Sequence, residues 1–163
     1  MRQIRQCVFE TNSSSTHSVT VRKKGLEPNY MKIHPDGYIH TELGEFGWEI
    51  ETYDTQEDKL SYLVTMLAEK CGCFGSKFYR GEVSLERAIS ELMETKEFKR
   101  ISKKIGEYAD CAGVFIDPSE GYIDHQSHEE YATLREFLSD YRINIIEFVF
   151  GRGVAVHTDN DNH

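Results

Sequence analysis

Residues 9–18, FETNSSSTHS, hold the densest group of chemically active side chains in the first part of the chain. Seven of these ten residues carry a hydroxyl or an amide, and one is a histidine. Hydroxyls and backbone N–H groups in a turn can bind a phosphate or a carboxylate. We therefore predict a ligand-binding loop between two strands. Its predicted ligand-binding residues are Thr11, Asn12, Ser13, Ser14 and Ser15.

Three further residues are of types that transfer protons. His17 titrates near neutral pH and can act as a general acid or base. Asp124 precedes His125 directly, and a carboxylate can orient an imidazole or share a metal ion with it. The predicted catalytic residues are therefore His17, Asp124 and His125. One serine of the loop would be a nucleophile if its hydroxyl lies within hydrogen-bond distance of one of these imidazoles. No nucleophile elbow, P-loop or dinucleotide fingerprint accompanies them.

Each of these motifs also has a purely structural interpretation. A run of Thr, Asn and Ser can form side-chain-bonded turns that only join two strands. Ser127 lies three residues before Glu130, which is the spacing of a helix capping box. Both interpretations stay open at the level of sequence.

Metal and cofactor identity stay unassigned, although two ligand sets are conceivable. The zinc set would be Cys71, Cys73, His125 and His128, but one residue between the cysteines departs from the usual zinc spacing. The hard-cation set would be the carboxylates of Asp124, Asp159 and Asp161. Residues 157–163 lack the glycine and the distal glutamate of an EF-hand loop, so a solvated acidic tail is the simpler interpretation.

Residues 8–19, VFETNSSSTHSV, resemble the N-terminal signature of a widespread family of uncharacterised bacterial and phage proteins. Residues 122–127, YIDHQS, and residues 158–163, TDNDNH, are similar to later parts of the same family, whereas residues 25–110 carry no resemblance. The resemblance implies a prokaryotic or phage origin, often in a mobile element. It implies no particular activity.

Composition and charge narrow the class of protein. A chain of 163 residues suits a single domain over 1–163 with a substantial core. The net charge is −9, but residues 1–24 carry five basic residues and one acidic residue. An acidic body repels phosphate backbones, so we do not expect non-specific nucleic-acid binding. No segment is apolar enough to cross a bilayer or to act as a secretory signal. We therefore expect a cytoplasmic protein without a membrane partner.

The cysteine pattern predicts free thiols. The chain has four cysteines, at Cys7, Cys71, Cys73 and Cys111, and a reducing compartment would keep them reduced. Cys71 and Cys73 are separated only by Gly72, which we take to be a poor geometry for pairing with each other.

The elements that must position these residues are strands at both ends of the chain and helices between them. Strands are predicted at 3–9, 18–22, 31–34, 38–40, 47–53, 113–117, 122–124 and 154–156. Hairpins are predicted around residues 35–37 and 118–121. Helices are predicted to begin at Asp54 or Thr55, at Ser84 and at Thr95, where apolar residues recur at helical spacing. Further helices follow Ser127 and Asn144.

This order predicts an α+β domain with an antiparallel mixed sheet from N- and C-terminal strands and three or more packed helices. The polar strand ends at 10–18, 124–128 and 157–163 would then be able to converge. One function that follows is a non-catalytic binding protein of a prokaryote or phage that acts on a host protein. The alternative is a small hydrolase or transferase for a phosphorylated or nucleotide-like ligand.

Overall fold

The computed structural model describes residues 15–47, 50–123 and 133–160. Its strands are β1 (Ser15–Val21), β2 (Tyr38–Thr41), β3 (Glu45–Phe46), β4 (Glu51–Tyr53), β5 (Gly113–Ile116), β6 (Tyr122–Ile123) and β7 (Val154–Asn160). Its helices are α1 (Gln56–Cys71), α2 (Ser76–Tyr79), α3 (Leu85–Glu94), α4 (Lys96–Ala109), α5 (Leu134–Asp140) and α6 (Ile145–Phe150). The predicted α+β fold class is confirmed.

The two ends of the described chain share one sheet. Strand β7 lies between β1 and β4 and pairs antiparallel with both. Val19 of β1 stands opposite Val156 of β7, and both side chains are buried. β-branched residues that alternate toward a core favour this pairing register. The prediction that the terminal strands share a sheet is confirmed. The predicted strand at 3–9 lies outside the described residues.

The predicted hairpin around residues 118–121 is wrong. Strand β5 pairs in parallel with β2, and β6 pairs in parallel with β3, so β5 and β6 do not pair with each other. Parallel pairing requires a long crossover, and helices α1 to α4 supply it. Helix α4 holds β5 in place, because the Ser102 hydroxyl accepts the Val114 N–H at 2.9 Å. The turn at residues 35–37 is present, but its first arm makes only one bridge, from Ile33 to Ile39.

Helices α1, α3 and α4 begin at predicted capping residues, whereas the short helix α2 was not predicted. The hydroxyls of Thr55, Ser84 and Thr95 accept backbone N–H groups of the first turns of α1, α3 and α4. These bonds satisfy donors that have no partner within the helix. Gly72 ends α1 with a φ of 71°, a left-handed conformation that favours glycine.

The later helices, α5 and α6, also begin at side-chain caps. Asn144 and Glu147 form the predicted capping box at the start of α6. Helix α5 begins after Thr133, whose hydroxyl accepts the Glu136 N–H. The predicted start at Ser127 lies outside the described residues.

Helix α1 runs through the core, and the core includes a buried cation. Of its sixteen residues, ten are buried, and Tyr62 packs its ring against those of Phe46, Phe137 and Phe148. Lys59 is 1% exposed, and its Nζ donates to the Gly151 carbonyl at 3.3 Å. Burial lowers the pKa of Lys59 because it disfavours the ammonium form.

Candidate functional site

His40 of strand β2 lies between two carboxylates. Its Nε2 is 2.7 Å from Oδ2 of Asp36. Its Nδ1 is 3.0 Å and 3.2 Å from the two carboxylate oxygens of Asp117. Both ring nitrogens are therefore engaged by acceptors, and a carboxylate has no proton to donate. The geometry suits an imidazolium that donates an N–H to each side.

Local turn chemistry and strand pairing bring these three residues together. Asp36 lies within the turn, where its Oδ1 accepts the Tyr38 N–H at 3.0 Å. His40 follows at i+4, on the strand that leaves the turn. Asp117 comes just after β5, and its N–H donates to the Thr41 carbonyl at 2.9 Å. Parallel pairing of β2 with β5 thus places Asp117 beside His40.

The carboxylates stabilise the charged form of the imidazole. The hydrogen bond with Asp36 raises the pKa of His40 most, burial opposes it, and Asp117 raises it further. The pKa of Asp36 is lowered, first by the Tyr38 N–H and then by His40. Each shift has the direction expected when opposite charges share hydrogen bonds. A doubly bonded imidazolium offers no lone pair, so His40 in this state is neither a base nor a metal ligand.

Aromatic and apolar side chains surround His40. The ring of His34 stacks on His40 with centroids 4.1 Å apart, and Phe115 lies 5.1 Å from His40 on the other strand. Tyr38 contacts Phe115 edge to face at 6.5 Å. Tyr38 is 36% exposed, and Ile33 beside the turn is 41% exposed. We call Ile33, His34, Tyr38, His40 and Phe115, with Asp36 and Asp117, the β2–β5 surface.

An open groove of about 730 Å³ continues from this surface along helix α4. Tyr38 and Phe115 belong to both the surface and the groove. The charged residues that line it are Glu94, Lys99, Lys103, Glu107 and Asp110. Lys99 pairs with Glu94 at 2.7 Å, and Lys103 lies 3.9 Å from Glu107. Asp110 adds a third carboxylate, so acidic groups outnumber the lysines.

The structure describes only two of the residues that the sequence predicts to bind a ligand or to act in catalysis. Ser15 and His17 lie in strand β1, so the prediction that they belong to a loop is wrong. The β-branched residues that follow favour an extended backbone, and pairing with β7 carries the strand back to Ser15. Thr11, Asn12, Ser13, Ser14, Asp124 and His125 lie outside the described residues.

The described residues of two of the three polar stretches pair with each other along the backbone. Ser15 is opposite Asn160, Thr16 is opposite Asp159, and His17 is opposite Thr158 in the β1–β7 register. The predicted end of the last strand at residue 156 is therefore too early, because β7 continues to Asn160.

The third stretch, residues 124–128, follows strand β6 directly in the sequence. β6 pairs with β3, and the ring of Phe46 in β3 contacts Tyr53 of β4 at 5.0 Å. Strand β4 in turn pairs with β7. The end of β6 is thus linked by one strand pair and one ring contact to the sheet of β1, β7 and β4, which we call the terminal sheet.

His157 lies at the centre of the terminal sheet with both ring nitrogens engaged. Its Nε2 is 2.8 Å from the Thr20 hydroxyl, and its Nδ1 is 3.0 Å from the Thr52 hydroxyl. A neutral imidazole can donate to one hydroxyl and accept from the other. This arrangement ties the three strands together across one face of the sheet.

The described residues contain no group of three or more His, Cys, Asp or Glu side chains that could hold a metal ion. His125 and His128 of the predicted zinc set, and Asp124 and Asp161 of the predicted hard-cation set, lie outside the described ranges. No described helix is long and apolar enough to span a membrane.

The described cysteines are free thiols, and two of them are in contact. Cys71, Cys73 and Cys111 are free thiols, as predicted, and Cys7 lies outside the described residues. Cys71 and Cys73 are not bonded to each other, but their sulfur atoms lie only 2.7 Å apart. The left-handed turn at Gly72 folds the backbone back and brings the two side chains to the same side.

Sequence reasoning missed the Asp36–His40–Asp117 cluster. The i, i+4 spacing of Asp36 and His40 across a turn was a usable signal. Asp117 is 77 positions from His40, and only the pairing of β2 with β5 reveals its proximity. Comparisons of the chain with protein-family models, curated proteins and solved structures found no match.

Proposed function

We propose that the chain is a prokaryotic or phage accessory protein that acts without catalysis by binding a host protein. The observation that carries this proposal is the state of His40, whose two nitrogens are both bonded to carboxylates. A general base needs one nitrogen free for its substrate. The cluster instead fixes the shape and charge of an exposed aromatic surface, which is what a binding surface requires.

The charges of the β2–β5 surface and the groove favour a partner with exposed arginine or lysine side chains. Asp36 and Asp117 retain 47% and 38% exposure of their side chains, although His40 contacts both. Tyr38 and Phe115 offer ring faces and edges beside these carboxylates. Arginine combines carboxylate pairing with stacking on aromatic rings, and both contribute at protein interfaces.

The same charges weigh against nucleic acid as the ligand. A net charge of −9 repels phosphate backbones, so non-specific nucleic-acid binding is not part of the proposal. We place the protein in the cytoplasm, where the described free thiols would persist.

Site-specific crosslinking tests this function. A photoreactive amino acid in place of Tyr38 probes the groove, and one in place of Tyr79 is the control, because Tyr79 is 77% exposed and does not line the groove. Crosslinking in bacterial host cells should link Tyr38 variants to one defined protein and leave Tyr79 variants without it.

The captured protein must then bind in purified form. We expect Glu107→Lys, in the groove, to weaken binding about tenfold or more, and Glu86→Lys, exposed on α3 away from the groove, to leave it within about twofold. Equal crosslinking at both positions, or equal affinity of both charge variants, would contradict the proposal.

A second candidate is a hydrolase or transferase that takes a phosphorylated small molecule. The observation that favours it is the β1–β7 register, which aligns Ser15 and His17 with the polar end of β7. Under this alternative, Ser14→Ala, Ser15→Ala and His17→Ala each abolish ligand binding or activity while lowering stability by no more than about 1–2 kcal/mol. A panel of phosphomonoesters and nucleotides provides the ligands. Variants that unfold without a separable binding defect would make the segment a structural clasp instead.

A further inference from the structure

The loop that follows helix α1 contains a pair of thiols that the proposed function does not use. Cys71 is the last residue of α1, Gly72 turns the chain, and Cys73 follows. The two Sγ atoms are 2.7 Å apart, closer than sulfur atoms in van der Waals contact. The Cys73 N–H also donates to the Cys71 sulfur at 3.4 Å. The backbone itself therefore holds the two thiols against each other.

We propose that Cys71 and Cys73 form a site of reversible thiol–disulfide exchange, oxidised by low-molecular-weight disulfides such as glutathione disulfide. This inference is independent of the proposed function. Both residues are half-buried, so a small disulfide can reach them. A disulfide requires α-carbons within about 7 Å, and two residues joined by a tight turn meet that limit. Gly72 permits the turn because its φ of 71° is strained for other residues. The requirement for glycine comes from the backbone conformation alone, since a Cβ at this position would meet no atom within 4 Å.

The surroundings favour the uncharged forms of this pair. Burial, followed by the contact with Cys71, raises the pKa of Cys73 to about 12. Two adjacent thiolates would repel each other, and Glu91 adds a further negative charge nearby. A disulfide removes both ionisable thiols and leaves a neutral bond. The ring that it closes is short, so chain entropy contributes little and the bond is not a stabilising crosslink.

The hydrogen bond that the Cys73 N–H donates to the Cys71 sulfur at 3.4 Å assigns the order of reaction, because it stabilises negative charge on that sulfur. Because the thiolate is the nucleophile, Cys71 attacks one sulfur of the small disulfide and expels one small thiolate, forming a mixed disulfide. Cys73 then loses its proton, attacks the Cys71 sulfur and expels the second thiolate. The protein loses two electrons and two protons in total. The small disulfide gains them and leaves as two thiols.

Redox titration of the full chain tests this site. The protein is equilibrated in glutathione buffers from about −180 to −300 mV, quenched with acid, alkylated and digested. We expect the peptide that holds residues 71–73 to lose the mass of two hydrogens and to escape alkylation within this range. Cys111, half-buried in the groove, should remain alkylated and provides an internal control.

Single variants test the order of attack. Cys73→Ser should stop at a glutathione adduct on Cys71, and it should form at least about ten times faster than the adduct on Cys73 in Cys71→Ser. Cys111→Ser should oxidise like the unaltered protein. Full alkylation of both thiols across the range, or bonding of either one to Cys7 or Cys111, would overturn the proposal. A faster adduct on Cys73 would overturn the assigned order.

Discussion

Replacing Lys59 with methionine should stabilise the protein. The Lys59 ammonium is buried in the core and donates one described hydrogen bond, to the Gly151 carbonyl at 3.3 Å. Glu27 and Asp54 attract it at longer range, but burial is the larger influence on its pKa. Methionine keeps an unbranched stem of similar length and removes the charge. The Gly151 carbonyl still accepts the Val154 N–H at 3.4 Å, so it is not left without a partner.

The expected magnitude follows from opposing contributions. Burying an ion costs several kcal/mol even after relaxation, and a hydrogen bond to a charged group returns about 1.5–3 kcal/mol. Replacing buried ionic groups with apolar side chains of similar volume is typically neutral or stabilising, by up to about 4 kcal/mol. We expect Lys59→Met to add about 1–4 kcal/mol. That raises Tm by about 2–4 °C for each kcal/mol in a chain of this size.

The assay is urea unfolding of both proteins at several pH values, with Lys59→Ala as the control. The alanine variant also loses the buried stem and should be about 2–5 kcal/mol less stable than Lys59→Met. Between the lowered pKa and 10.5, the unfolded lysine binds more protons than the folded one, so the unaltered protein gains stability as pH rises. The advantage of Lys59→Met should therefore shrink toward pH 10.5. A variant that is destabilised at neutral pH, or an advantage that does not change with pH, would refute this reasoning.

Three further predictions concern named interactions. Because the pKa of His40 is raised in the folded state, the stability that its charged form contributes should be complete below pH 6.5 and lost as pH rises through the folded-state pKa. NMR titration should give a folded-state pKa of His40 above 6.5, and the Asp36→Asn variant should bring that pKa closer to 6.5. Asn144→Ala should lower the free energy of unfolding by about 0.5–2 kcal/mol in urea, whereas Asn144→Ser should retain most of it. Gly113→Ala should lower the free energy of unfolding by about 1–3 kcal/mol or more, because the φ of residue 113 is 138° and an alanine Cβ would overlap the Ser102 hydroxyl. A thermal melt like that of the unaltered protein would contradict this expectation.

The helices were predictable because their signals are local. A capping hydroxyl, apolar residues at i, i+3, i+4 and i+7, and a terminal glycine all act within a few positions of one another. Thr55, Ser84, Thr95 and Asn144 therefore marked four helix starts in the sequence. The turn at residues 35–37 was equally local.

Strand partners were not predictable in the same way. A short apolar segment bounded by turn residues predicts a strand, but it does not predict which neighbouring strand that strand pairs with. The turn residues at 118–121 favoured a hairpin, yet the crossover through α1 to α4 returns β5 to the side of β2. Packing of α4 on β5, a contact between elements, outweighed the local turn signal.

By itself, the sequence determined the α+β class, the starts of α1, α3, α4 and α6, and the polar character of the two chain ends. Tertiary structure alone decided which of those side chains meet. Asp117 is beside His40 only because two parallel strands align residues 77 positions apart, and Lys59 is buried only because α1 is enclosed on most of its surface. Cys71 and Cys73 were visible as neighbours, but the left-handed turn at Gly72 decided that their sulfurs touch. Distances of a few ångströms depend on backbone direction and on packing between elements, neither of which residue type and spacing encode locally.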